Sequence, residues 1–283
     1  MNKNNLMTED EAMEYIEQAE ELLKKHTTIP AVEFHLTENE PDIFTSKIGG
    51  TPYLAKDMEI PVDTNGRQMK LLAQVDCELL SELPDYPHQG ILQFWLSTEY
   101  PWEESMVIYH QNIDKSVAES EVLLKIQSFV DDETYDFPVI DGGYGIKANL
   151  IHEAISTSDK RCGKLICKYL YDLTDGRIYE EYENYIDDLE SGELGSGHKF
   201  GGYHYDPQSW SSYEYDPEFK SDIGTDNEIL LLFQLEYEHN LGKDWREGAK
   251  IVMGDCGVMH FFIRRKDLKS LNFDNIMYDW SCS

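Results

Sequence analysis

The sequence predicts an α+β, β-rich fold: two related antiparallel-sheet halves arranged about a pseudo-twofold, with an N-terminal helix and a few peripheral helices. Three repeated blocks carry the prediction. Lys47-Ile48-Gly49-Gly50-Thr51-Pro52-Tyr53 returns as Lys199-Phe200-Gly201-Gly202-Tyr203-His204-Tyr205. Each is followed by an apolar run with a central Gln and a closing acid, Leu71-Leu72-Ala73-Gln74-Val75-Asp76 and Leu231-Leu232-Phe233-Gln234-Leu235-Glu236. Each then reaches a Gly and six strand-like residues, Gly90 with Ile91–Leu96 and Gly257 with Val258–Ile263. The same order in both places implies one domain over residues 1–283, with repeat units at about 31–100 and 198–270.

The elements follow in turn. Thr8-Glu9-Asp10-Glu11 has the form of a capping box, and Ala12, Ile16, Ala19 and Leu23 share one helical face. Lys24-Lys25-His26 suit the negative end of the dipole, so a helix is expected over about 9–26. Residues 31–36 and 69–76 read as strands, with a hairpin-type turn at Asp63-Thr64-Asn65-Gly66. A helical turn is expected over 78–83, and strands over 91–96 and 106–110. In the middle of the chain Ser120–Phe129 reads as a short helix and Asp131-Asp132-Glu133 as an acidic loop. Gly142-Gly143-Tyr144-Gly145 reads as a flexible loop, Cys162–Leu173 as a strand, and Ile178–Leu189 as a helix face. Strands at 229–238 and 257–263 close the second unit, and the aromatic ending Tyr278-Asp279-Trp280-Ser281-Cys282 is expected to dock on the body.

Composition narrows the function. The 283 residues carry 24 Lys and Arg against 55 Asp and Glu, a net charge of −31. Such a chain repels phosphate backbones and anionic membranes and attracts basic partners. The same acidity also keeps a protein soluble without any partner. The start reads as an acidic helix rather than a signal peptide, and the five Cys form no C-x-x-C pair, so a cytoplasmic protein with reduced thiols is expected.

Candidate site residues come from strand alternation. Gln74, Asp76 and Gln93 in one half, with Gln234, Glu236 and His260 in the other, are expected to face away from Leu71, Ala73, Val75 and their counterparts. If the halves meet along the pseudo-twofold, these six residues line one cleft that takes a small ligand. Their other reading is structural, with the amides satisfying backbone groups of the Gly-Gly loops. Tyr203, Tyr205, Trp210, Tyr213 and Tyr215 form an aromatic recognition surface or a loop covering the sheet. No catalytic residues are assigned, since G-x-S-x-G and P-loop patterns are missing from the sequence. Cys256 with His260 is the best thiol pair, and His198, His204 and Asp206 the best metal set, but neither has motif support, so no cofactor or metal is expected.

The blocks resemble the YwqG-like family of uncharacterised bacterial proteins. The match rests on Gly49–Leu54, Leu71–Asp76, Gly90–Phe94, His198–Tyr203 with Gln208, Gly254-Asp255-Cys256-Gly257 with Phe261-Phe262-Ile263, and the Tyr278-x-Trp280-x-Cys282 ending. His204 stands where the family usually has Pro, and Met253 where an aromatic often precedes Gly-Asp. The resemblance implies an α+β body with duplicated antiparallel sheets and brings no established activity. Some relatives sit beside secreted-toxin systems, which implies by association an immunity or accessory role. The expectation is therefore a non-catalytic cytoplasmic binding protein for a basic protein. The alternative is a small-ligand binder or hydrolase working between the halves.

Overall fold

The structure is a computed structural model that describes residues 8–39, 41–99, 101, 103–126, 140, 142–177, 195–208, 224–239, 249–254 and 256–282. Helix α1 spans Glu9–Thr27, where the Thr8 hydroxyl accepts from Glu11 N and the Glu11 carboxylate accepts from Thr8 N. The strands and helices then run β1 (Ile29–Thr37), β2 (Lys47–Gly49), β3 (Lys70–Asp76), a 3-10 turn at Cys77–Leu80, β4 (Ile91–Leu96), β5 (Ser105–His110), α2 (Glu119–Leu123) and β6 (Gly143–Glu153). They continue as α3 (Lys160–Thr174), β7 (Lys199–Gly201), β8 (Ile229–Glu236), β9 (Glu238–His239), β10 (Ala249–Ile251), β11 (Val258–Arg264), α4 (Arg265–Lys269) and β12 (Met277–Ser281).

Ten strands make one nearly closed antiparallel sheet in the order β12-β11-β8-β7-β1-β6-β2-β3-β4-β5. The order is symmetric about the β1–β6 pair, which runs in register from Ile29 opposite Glu153 to Thr37 opposite Gly145. Each half lends its first strand to the other: β1 pairs with β7, and β6 with β2. Two halves about a pseudo-twofold are therefore present, joined in one continuous sheet. The inner face is an apolar core in which Phe94 and Phe233, from opposite arms, lie 4.5 Å apart. Across the open seam the Tyr278 hydroxyl donates to Pro101 O.

Four expectations change. Cys162–Leu173 is not a strand but lies in α3. Cys162, Ile166 and Leu170 recur every fourth residue, all buried, and pack against Ile16, Ala19 and Leu23 of α1. The Asp159 carboxylate caps that helix at Arg161 N, and Asp175 ends it at φ 51°. Gly143-Tyr144-Gly145 begins β6 rather than a flexible loop; partners on both sides hold it extended. The strand faces also shift, because a bulge at Leu72 turns Leu71 to the outer face beside Trp95 and sends Leu72 into the core. An irregularity at the matching place does the same for Leu231 and Leu232. Ser120–Phe129 is helical only over Glu119–Leu123, and continues as turns to Ile126. The C-terminal segment does dock, as β12 on β11. The expected helix at 178–189, the acidic loop at 131–133 and the residues Trp210, Tyr213 and Tyr215 lie outside the described residues.

Candidate functional site

The repeated glutamines sit on the outer face and perform the same task twice. Gln74 Oε1 accepts from Tyr53 N at 2.8 Å, and its Nε2 donates to Ile43 O and Thr45 O, both at 3.0 Å. Gln234 Oε1 accepts from Tyr205 N, and its Nε2 donates to Gly195 O and Gly197 O, all at 2.9 Å. Tyr53 O accepts from Gln93 Nε2, and Tyr205 O from His260 Nε2. Even the strand ends match: Asp76 N donates to Ser46 Oγ, and Glu236 N to His198 Nδ1. A buried amide that ties three backbone groups of a loop removes the cost of leaving them unpaired.

The six candidate cleft residues thus fall into two sets, one per arm. Gln74 gives both amide hydrogens to backbone carbonyls, Gln234 shares its own among Gly195 O, Gly197 O and the Glu236 carboxylate, and Gln93 gives its own to Tyr53 O and Gln74 Oε1. Asp76 caps the 3-10 turn at Glu78 N. The arrangement is that of structural clamps, and the single shared cleft expected from alternation gives way to two separate nodes.

The Gly-Gly pairs explain why the clamps can form. Gly49 and Gly50 have φ of 66° and 73°, and Gly201 and Gly202 have 71° and 72°. A Cβ at Gly202 would stand 1.9 Å from Glu153 Oε1. Positive φ and close approach account for these glycines without a phosphate.

Beside each clamp lies a lysine with no exposed surface. Lys47 Nζ donates to the carbonyls of Asp42 and Thr51. Lys199 Nζ instead meets both oxygens of the Glu153 carboxylate at 2.9 Å, and that carboxylate also accepts from Tyr203 N. Burial pushes Lys47 down to about 8, while Asp42 and Glu119 pull upward. Burial pushes Lys199 down as well, opposed first by Glu153. Neither lysine was singled out by sequence reasoning, although both stand at equivalent places in the repeat.

Three histidines are held neutral by their surroundings, the half-buried His110 and the buried His204 and His260. Burial drives His110 down to about 4. Burial, and then neighbouring His260, drive His204 down to about 3. His260 is lowered by burial too; with Nε2 donating to Tyr205 O, its Nδ1 has no partner. Among the described residues no group of three or more His, Cys, Asp or Glu could hold a metal ion. Tyr203 is buried, its hydroxyl donating to Thr27 O, so it belongs to the core against α1 rather than to a surface.

One cleft does include predicted residues. Tyr205 and Glu236 line it with Ser196, Tyr237, Cys256, Gly257 and Val258, around about 230 Å³ of space. Glu236 Oε1 accepts from Gly197 N at 2.6 Å and from Gln234 Nε2 at 3.2 Å. The clamp therefore positions a carboxylate at the cleft wall. Phe44, matching Ser196 in the repeat, lies 5.7 Å from Tyr53, which has no exposed surface. The repeat carried this signal, since alignment of the blocks sets Ser196 against Phe44.

The chain matches the family described as Domain of unknown function (DUF1963) over residues 46–282. It belongs to that family. No curated protein matches the chain. The matched span begins after β1, yet β1 lies at the centre of the sheet. No helix among the described residues is long and apolar enough to cross a membrane.

Proposed function

We propose that this family member, whose blocks also resemble YwqG-like proteins, is a non-catalytic cytoplasmic binding protein. Its partner is a basic protein, and its role is of the immunity or accessory type. The observation that carries the reading is how its few cations are used. Lys47 and Lys199 are wholly inside. Arg161 is tied to Asp159 and Glu228, Arg265 to Asp85 and Glu228, and Lys250 to Glu38 and Glu238. Each of these cations is matched by its own carboxylates or by buried carbonyls, so nearly all of the net charge of −31 falls on the rest of the chain. Such a field accelerates encounter with a basic protein and rejects acidic ones. The clamps point the same way, since their amides are committed to backbone rather than to substrate.

The test is capture from host lysate on immobilised protein, eluted in steps of salt. The expected result is one basic protein, retained at stoichiometric ratio in low salt and released at moderate salt. Retention of no protein, or retention indifferent to salt, defeats the proposal.

A further inference from the structure

We infer that the cleft of the second half, walled by Tyr205, Glu236, Tyr237 and Cys256, is a binding site for a single organic cation, an alkylammonium or alkylguanidinium group. Three observations converge on it. First, its size suits a side-chain head group: about 230 Å³ falls below the ~300–1,000 Å³ of sites for drug-sized ligands. Second, its chemistry suits a cation. Glu236 supplies a carboxylate fixed by Gly197 N and Gln234, and Tyr205 and Tyr237 contribute aromatic walls. Third, the repeat differs here: the first half keeps the same clamp, and at the position matching Ser196 it carries Phe44, whose ring lies 5.7 Å from that of Tyr53, which has no exposed surface. Among the described residues, the strands behind it also hold two buried polar atoms without a hydrogen-bond partner. Ser281 Oγ is on β12, opposite Val258 of the cleft wall, and His260 Nδ1 is two residues further along β11.

The site stands on this geometry. Assigning the cation to a lysine or arginine side chain of a protein, rather than to a free small amine, rests on the basic-partner reading above.

Cys256 provides the readout. It is exposed and lines the cleft, so an occupant slows its alkylation by iodoacetamide, mapped by mass spectrometry against Cys167 and Cys282. The full chain is titrated with butylguanidinium, butylammonium and the neutral butylurea, and in a second arm with the capped tripeptide Gly-Arg-Gly. Saturable protection of Cys256 by the two cations and none by butylurea is expected. Glu236→Gln, which keeps an oxygen for Gly197 N, is expected to weaken the protection about tenfold. Ser196→Phe, which copies the first half, is expected to abolish it with thermal stability preserved. Equal protection by butylurea, no protection by either cation, or unchanged binding in Glu236→Gln overturns the inference. If the small cations bind and the tripeptide does not, the site holds and the basic-partner reading loses this contact. If only the lysate capture fails, the partner is wrong and the cation site is untouched.

Discussion

The two arms of the sheet follow one hydrogen-bond plan and close it differently. In the first arm Gln74 and Gln93 hold Tyr53, the ring is sealed beneath Phe44, and Lys47 rests on backbone carbonyls. In the second arm Gln234 and His260 hold Tyr205, Ser196 lines a cleft, and Lys199 rests on a carboxylate. Structural clamps were kept in both arms because each needs its loop fixed. The groups around the clamp were free to diverge, since the backbone no longer depended on them. The divergence places a carboxylate against the buried lysine of the second arm and backbone carbonyls against that of the first.

The largest effect expected is at the lysines. Lys199→Met leaves the Glu153 carboxylate without its cation and is expected to cost about 3–5 kcal/mol in urea unfolding at neutral pH. Lys47→Met leaves two carbonyls and no charge, and should cost about 1–3 kcal/mol. Equal losses would erase the distinction drawn between the arms. Next come the clamps: Gln74→Leu and Gln234→Leu should each cost about 2–3 kcal/mol and agree within about 1 kcal/mol, as equivalent residues must. A large gap between them would show that one amide does more than support its loop.

Acid should then separate the arms. His110 and His204 titrate in the folded protein at about 4 and about 3, below the unfolded value near 6.5. Between those values the unfolded chain binds a proton that the native fold refuses, so stability falls as pH falls. From pH 7 to 5 each such imidazole is expected to remove about 2 kcal/mol. Below about pH 4 the loss from His110 levels off, while that from His204 continues to about pH 3. Urea midpoints for His110→Gln against the parent, at closely spaced pH, measure this; an unchanged slope would refute it. The smallest effect is Phe44→Ser, expected to cost about 1 kcal/mol because the ring is only half-buried. Exposure of Tyr53 to solvent in that variant would show that Phe44 alone seals the first arm.

Much of the fold was legible in particular residues. The Thr8–Glu11 box and the Ala12-Ile16-Ala19-Leu23 face marked α1, and the repeated blocks marked β3, β4, β8 and β11. Legibility failed where the pattern was ambiguous or split between faces. The Cys162-Ile166-Leu170 stripe of α3 is sparse and set among aromatics, and β6 carries mostly half-exposed or exposed residues that give no apolar alternation. The bulges at Leu72 and Leu232 could not be read from runs of leucine that look alike on either face.

Local sequence by itself determined that β1, β3, β4, β5, β8 and β11 extend, which residues stand at equivalent places, and that an amide recurs on both arms. It could do so because periodicity and turn chemistry act over a few neighbours. Only the tertiary structure decided that β1 and β6 cross between halves, that the two amides serve separate clamps, and that Tyr205 and Glu236 stand at a cleft while Tyr53 is covered. Those outcomes depend on which distant groups meet across the closed sheet, and burial and pairing across that distance leave no mark on the local pattern.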